Sequence, residues 1–476
     1  MKHNLAMSAL SIAVIAFLPI QTINAATFSV DGISYQTLSE TECEVARQNT
    51  ASVQETLTRL EGKLIIPQSV TDSEGNSYAV TGIANYAFVN CTNLLEITLP
   101  STLTTIGNSS FSKCPGLTSV TIASTLLSVG PNCFSESKGI TDVYATCGID
   151  AWLASEFKDA SSNPISNGAR LNISGYEASD ILRIPEGTKR IGGYTFAGYR
   201  TDEAYGGNVV ALYLPQGIEC IGKGAFERCK IENVAIGEPA AFQNYPIINL
   251  SDYCKIDFEN YTANPLYNGA SLTYRNPEKE YTVTDIEIPE GTPSIGRYAF
   301  IGYKQATSVS TPPSLTSIGV QAFSNCSNIK SLIIGENVAE IGMSAFSGVN
   351  LTSIESLAVT PPSFSNNSFS NETYNKANVI VPYPSIDAYK THLRWSKFKN
   401  YDMTTSSIDD IESNNKPTIR LTGNTVHVYG ANTGSVITIY GITGETVYKG
   451  YDRAITLDKK GLFILSIEGD VFKFVI

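Results

Sequence analysis

A phenylalanine that returns at a fixed interval constrains this chain more than any other feature. Phe88, Phe111 and Phe134 lie 23 residues apart, as do Phe300, Phe323, Phe346 and Phe369, and Phe196 and Phe226 carry the series across an insertion, giving nine copies. Self-similarity at such a period belongs to solenoids, in which each unit buries its apolar face only against its neighbours. The clearest copies run Leu103-Thr-Thr-Ile-Gly-Asn-Ser-Ser-Phe111-Ser-Lys-Cys114-Pro-Gly-Leu117-Thr-Ser-Val120-Thr-Ile122 and Leu315-Thr-Ser-Ile-Gly-Val-Gln-Ala-Phe323-Ser-Asn-Cys326-Ser-Asn-Ile329-Lys-Ser-Leu332-Ile-Ile334. Leu117, Val120 and Ile122 have the spacing that turns one face of a short strand inward, and Phe111 closes the other side of the coil. Gly107, Gly192, Gly222, Gly296, Gly319 and Gly342 each follow an isoleucine, where a coil turning against its neighbour has no room for a Cβ.

Larger units repeat as well. Cys147-Gly-Ile-Asp150, Asn163-Pro164, Asn167-Gly-Ala-Arg-Leu171 and Ile184-Pro-Glu-Gly-Thr188 recur as Cys254-Lys-Ile-Asp257, Asn264-Pro265, Asn268-Gly-Ala-Ser-Leu272 and Ile288-Pro-Glu-Gly-Thr292, so a module was duplicated. The pattern Ile-Gly-x-x-Ala-Phe-x-x-Cys-x-x-Leu-x-x-Ile-x-Leu-Pro, running roughly from Phe28 to Tyr401, resembles the Treponema-type leucine-rich repeat of BspA-like surface proteins of Bacteroidetes. The expected fold is mainly β: a leucine-rich-repeat solenoid over 80–402, with insertion modules at 145–187 and 238–291. Asp387 to Lys399 is expected to form a short helix over the last coil.

At the front, Lys2, the apolar run Leu5 to Ile20 and the small pair Ala25-Ala26 read as a signal peptide over 1–25. The run is too short for a membrane span, and no later stretch is long enough either. Phe28-Ser-Val-Asp-Gly-Ile-Ser-Tyr35 alternates around Asp31-Gly32, which predicts a hairpin. With strands near Gly62 to Pro67 and Tyr78 to Val80 it forms an N-terminal β cap over 26–79; a short helix in Thr41 to Leu60 is the other reading. After a polar linker at 403–416, seven short strand patterns over 417–476 predict a small antiparallel β-sandwich. Its Ile437-Thr-Ile-Tyr-Gly-Ile-Thr-Gly444 and Lys460-Gly-Leu-Phe-Ile-Leu-Ser-Ile467 resemble the sorting domains of type IX secretion substrates, which implies export to the cell surface. The chain ends Phe472-Lys-Phe-Val-Ile476 and not on basic residues, so a plain accessory domain and a periplasmic location stay open.

Charge and chemistry narrow the function. Thirty-three basic against 45 acidic side chains give a net charge of -12, a poor surface for nucleic acid. Nine cysteines include no Cys-x-x-Cys pair; Cys91, Cys114, Cys229 and Cys326 each follow a repeat phenylalanine by three residues, the placement of buried thiols in a stacked column. A Cys91 to Cys114 disulfide is the alternative. Beyond the signal only His392 and His427 remain, too few for nucleophile and base arrangements. Asp72-Ser-Glu-Gly-Asn76 lacks the glycine and distal glutamate of a calcium loop, so turn chemistry explains it. The reading is a binding scaffold, not an enzyme, with no metal or cofactor.

Candidate ligand contacts come from the outward positions of the repeat strands, which include Glu96 and Thr98, Ser119 and Thr121, Asp142 and Tyr144, Ile181 and Arg183, Ala211 and Tyr213, Asn233 and Ala235. Counting successive strands sets Tyr144, Arg183 and Tyr213 side by side with Asp142 at their flank; Tyr and Arg are enriched at binding hot spots. Cross-strand packing with an Arg183 to Asp142 pair is the bland equivalent. The insertion Tyr199-Arg-Thr-Asp-Glu-Ala-Tyr-Gly-Gly207, with Tyr199 and Tyr205, is expected to bulge from the solenoid as a second contact region. The family resemblance implies adhesion to extracellular proteins or glycoproteins such as fibronectin or fibrinogen; capture of a polysaccharide or peptide would use the same face.

Overall fold

In a computed structural model, the protein is described over residues 25–403 and 417–476, except 49–59, 127, 178, 201–206, 238–246, 276–279, 366, 383–384, 423, 430–434, 460 and 468. The expected signal peptide, the linker at 404–416 and Tyr205 lie outside the described residues.

Each repeat makes one coil with a longer strand, a two-residue strand and a phenylalanine layer. In Ser119–Ile122 the alternation turns Val120 and Ile122 into the core and leaves Ser119 and Thr121 outward. The two-residue strands carry the isoleucine of each Ile-Gly: Thr105–Ile106 pairs in parallel with Ser128–Val129, and Ser294–Ile295, Ser317–Ile318, Glu340–Ile341 and Ser363–Phe364 form a further ladder. The phenylalanines stack from coil to coil, with ring centroids 5.1 and 5.2 Å apart along Phe88, Phe111 and Phe134 and planes within 9°. Phe300, Phe323, Phe346 and Phe369 repeat this at 5.1, 5.2 and 5.3 Å. Around each repeat phenylalanine from Phe88 to Phe346 the backbone is left-handed two residues before and two after, as at Ser109 and Lys113 or Gln321 and Asn325.

The longer strands, numbered in chain order, form three ladders. The first holds β1 (Gly62–Ile65), β2 (Leu94–Leu99), β3 (Ser119–Ile122), β4 (Asp142–Ala145) and β5 (Arg170–Ile173), all parallel. The second holds β6 (Ile181–Arg183), β7 (Val209–Tyr213), β8 (Ile231–Gly237) and β9 (Ser271–Arg275) in parallel, closed by the antiparallel β10 (Glu280–Thr282). The third runs β11 (Asp285–Glu287), β12 (Ser308–Ser310), β13 (Ser331–Ile334), β14 (Ser353–Ser356), β15 (Asn378–Val381) and β16 (Asn400–Met403). Strand pairing therefore stops between β5 and β6 and again between β10 and β11. The core does not stop: one buried apolar cluster extends from Ile33 to Phe398.

The duplicated modules hold these breaks together by the same device. Asn163, fully buried, donates through Nδ2 to the carbonyls of Tyr194 (2.8 Å) and Thr195 (2.9 Å) while its Oδ1 accepts from the Ile165 amide. Asn264 repeats this toward Tyr298 (2.9 Å) and Ala299 (2.7 Å), with Leu266 as its donor. Each asparagine satisfies carbonyls of the following phenylalanine layer that no coil strand reaches.

At the open end, Thr27–Val30 and Ile33–Thr37 form the expected hairpin, with Asp31 and Gly32 at positive φ. Glu42–Val45 is a strand, paired with Ile33–Thr37 and with Ser77–Ile83, because alternate residues Cys43 and Val45 bury against the core; the remainder of the helix reading, over 49–59, lies outside the described residues. At the far end Ile386–Thr391 is an α-helix and Trp395–Lys397 a 3-10 turn, and Trp395 is fully buried. All nine cysteines are free, and the Cys114 and Cys326 thiols donate to the carbonyls of Phe88 (3.1 Å) and Phe300 (2.9 Å).

The chain divides into two compact units at residues 402 and 403. Among the described residues the second has seven antiparallel strands in two sheets. Thr418–Thr422, Thr425–Tyr429 and Ala454–Thr456 form one; Thr446–Gly450, Ile437–Gly441, Leu462–Ile467 and Asp470–Val475 form the other. A core including Val426, Ile437, Ile439 and Leu465 lies under them.

Candidate binding site

Register decides which outward side chains meet. Along the first ladder Glu96, Ser119, Asp142 and Arg170 fall in one row, and Thr98, Thr121, Tyr144 and Asn172 in the next. Tyr144 therefore stands beside Asn172 and not beside Arg183. The expected run of Tyr144, Arg183 and Tyr213 over three successive strands is corrected: β5 intervenes, and no ladder joins β5 to β6. The Arg183 to Asp142 pair fails for the same reason, because Asp142 has Arg170 as its register partner and accepts from the Thr141 hydroxyl at 2.9 Å.

Arg183 and Tyr213 do meet, since β6 and β7 pair with these two residues in register. The Arg183 guanidinium lies 5.4 Å from the Tyr213 ring centroid, and the Arg275 guanidinium lies 5.7 Å from it. Arg275 also donates to the Tyr213 hydroxyl and, at 2.8 Å, to Glu280. It starts on β9 and reaches back across β8; Ala211 and Ala235, expected to be outward, are fully buried. Arg275 escaped the sequence reading because its partner is 62 positions away.

Tyr144 is 43 % exposed and is the wall shared by two depressions. On one side is a polar trough of about 410 Å³ along the first ladder, bounded by Lys63, Glu96, Thr121, Thr141 and Asp142. Lys63 and Glu96 pair across it at 3.0 Å. On the other side, where strand pairing breaks, is a cleft of about 450 Å³. Its walls are β5 and Leu182 of β6, with Tyr176 between, and its floor is Phe196 and Tyr199.

The two walls of the cleft differ. Side chains close the β6 edge: the Tyr176 hydroxyl accepts from the Arg183 amide (2.8 Å) and donates to the Arg183 carbonyl (3.1 Å), while the Ser179 hydroxyl does the same for Ile181. Tyr199 is only 6 % exposed and packs edge-on against Phe196 at 5.6 Å, which corrects its place on a bulging loop. The phenylalanine layer draws it in because it stands three residues after Phe196, as Tyr303 stands after Phe300. Burial pushes the Tyr199 and Tyr176 hydroxyls up, so both remain protonated donors at neutral pH. On β5, Asn172 Nδ2 is buried with no hydrogen-bond partner.

His392 serves its own helix end, its Nδ1 accepting from the Arg394 amide at 3.2 Å. Asp72 accepts from the amides of Glu74 and Asn76, both at 2.9 Å, as a turn residue does. Among the described residues no cluster of His, Cys, Asp or Glu could hold a metal ion, and no helix is long and apolar enough to cross a membrane.

Comparison with known proteins adds the following. The family model described as BspA type leucine rich repeat region matches residues 69–178, 175–261 and 278–390. A leucine rich cell surface protein from Faecalibacterium prausnitzii is 17% identical, over 80% of this chain and 96% of that one, with a TM-score of 0.43. The pneumococcal vaccine antigen PcpA is 16% identical, over 80% and 98%, with a TM-score of 0.41. A leucine-rich repeat protein from Bacteroides ovatus is 17% identical, over 79% and 99%, with a TM-score of 0.31. No curated protein matches the chain.

Proposed function

Because this chain belongs to the BspA-type leucine-rich-repeat family, we propose that it is an exported, cell-surface binding scaffold of a Bacteroidetes-type bacterium, an adhesin for extracellular proteins or glycoproteins. One observation carries the reading: Tyr144, an exposed tyrosine on a parallel sheet, stands between a polar trough and an aromatic-floored cleft. Tyrosine offers large rigid contact area with a polar tip at little entropic cost, and a sheet fixed by a continuous core presents it without reorganisation. The seven-stranded second unit is, in this reading, a sorting module for type IX export.

Capture of a peptide or polysaccharide is the second reading, favoured by the cleft's volume of about 450 Å³ and its unpartnered Asn172 amide. The test is binding of residues 26–476 to immobilised fibronectin and fibrinogen and to a glycan array. Tyr144→Ala and Tyr213→Ala are measured separately, since they stand on different ladders. Protein binding lost with Tyr144→Ala supports adhesion through the first ladder, and loss with Tyr213→Ala alone moves the contact to the second. Glycan binding without protein binding replaces adhesion by capture.

A further inference from the structure

The duplicated modules treat the open edge of their last strand in opposite ways. In the second module β9 is covered. β10 pairs with it antiparallel, Thr273 opposite Thr282 and Arg275 opposite Glu280, and the Val283 amide donates to the Leu272 carbonyl at 2.8 Å. The Tyr303 hydroxyl completes the seam by accepting from the Leu272 amide (3.3 Å) and donating to the Val283 carbonyl (2.6 Å).

In the first module the corresponding strand is β5, with Leu171 in the place of Leu272 and Tyr199 in the place of Tyr303. The chain from Leu171 to Leu182, the inward residue of β6, is three residues shorter than from Leu272 to Ile286, the inward residue of β11, too short to lay down a covering strand. The bonds from the Arg170 amide to Thr141 and from the Ser174 amide to Ala145 set the phase of β5, so Leu171 and Ile173 direct their backbone groups away from β4. Ile173 gives its carbonyl to the Tyr176 amide. The Leu171 amide and carbonyl and the Ile173 amide bond to no described residue, and the Tyr199 hydroxyl likewise makes no hydrogen bond among them. All of these groups border the cleft.

We propose that the cleft is an acceptor groove for an extended peptide segment of a protein partner, which adds antiparallel to the edge of β5 as β10 adds to β9. This deepens the protein-binding reading and rests on it. An unpaired strand edge is a template for strand addition, and proteins that do not use one blunt it. Here the β6 edge is blunted by Tyr176 and Ser179, while the β5 edge, on the other wall of the cleft, is left open. The incoming chain's amide meets the Leu171 carbonyl, its carbonyl takes the Tyr199 hydroxyl, and Asn172 and Tyr144 contact its side chains from β5 and β4.

The test uses the heptapeptide Lys-Glu-Tyr-Thr-Val-Thr-Asp, the sequence of residues 279–285, labelled with fluorescein and titrated with the intact chain by anisotropy. Saturable binding is expected. N-methylation of the peptide's valine, which removes one main-chain donor without touching the protein, weakens it about tenfold. Tyr144→Ala and Asn172→Ala each weaken it several-fold with unfolding unchanged. Absence of saturable binding, equal affinity of the N-methylated peptide, or indifference to both substitutions overturns the assignment. So does a glycan that binds where the peptide does not. Binding of matrix proteins without the peptide overturns the groove alone; binding of the peptide without matrix proteins keeps the groove and overturns adhesion to those proteins.

Discussion

Replacing Gly319 by alanine separates the packing of this solenoid from ordinary chain statistics. At an unstrained site Gly→Ala stabilises by about 0.4–1 kcal/mol because the unfolded chain has fewer states to lose. A Cβ at Gly319 would sit 2.6 Å from the Gly296 carbonyl carbon and 2.7 Å from both the Arg297 nitrogen and the Ile295 oxygen. All three are backbone atoms of the preceding coil, so none can swing aside. Ordinary contact begins near 3.4 Å, so the two coils must part by roughly 0.7–0.8 Å. That lengthens the Gly319 amide to Ile295 carbonyl bond from 2.8 Å to beyond hydrogen-bonding range and opens the Phe300 to Phe323 stack from 5.1 Å. One lost hydrogen bond at about 1 kcal/mol and overpacking at about 1–3 kcal/mol outweigh the entropic gain, for a net loss of about 2 kcal/mol. Urea unfolding gives the total, and amide hydrogen exchange shows where it falls, with protection lost over the coils holding Ile295 and Ile318. Gly319→Ala more stable than the parent, or exchange unchanged at those coils, refutes the argument that coil spacing makes this glycine necessary.

Two further outcomes follow from the side chains. Burial pushes the Cys114 thiol up to about 11 and the Cys91 and Cys326 thiols up to about 12, from an ordinary 9.0. The unfolded chain then ionises first, so the contribution of these thiols to stability is whole below pH 9 and fades between pH 9 and 12. Urea midpoints at pH 8 and pH 10.5 should fall in the parent and fall less in a Cys91→Ala/Cys326→Ala variant; equal slopes count against burial of the thiols. In a double-mutant cycle, Arg275→Met and Tyr213→Phe should show a coupling of about 1 kcal/mol, from the hydrogen bond between them. Strict additivity would mean that the guanidinium does not donate to the Tyr213 hydroxyl.

How much of the site was legible varies residue by residue. Tyr144 was found correctly as an outward position because alternation along a strand is local. Its company was not, because counting strands in order assumes that every strand pairs with the next. Seven residues between Ile173 and Ile181 break that rule. They return the chain to the solenoid with Tyr176 and Ser179 standing where a strand would pair. Tyr199 was placed outside because it opens an insertion; its offset of three from Phe196, the same as Cys114 from Phe111, was the signal that it belongs to the core. The left-handed residues around the phenylalanines gave only a diffuse signal: glycine and asparagine hold some of these positions, but serine, lysine, glutamine and tyrosine hold others.

By itself the sequence determined the coil: its 23-residue period, the inward positions of each strand, the phenylalanine column, the glycines at closest approach and the seven strands of the second unit. These depend on neighbours within one turn of chain or on the identical position one repeat away, so period and pattern suffice. Only the tertiary structure decided where the ladders end, which edge is left open and which is plugged, and that Arg275 crosses β8 to reach Tyr213. Those outcomes depend on loop lengths and on contacts tens of residues apart, where a three-residue difference between duplicated modules is enough to cover one strand edge and leave the other open.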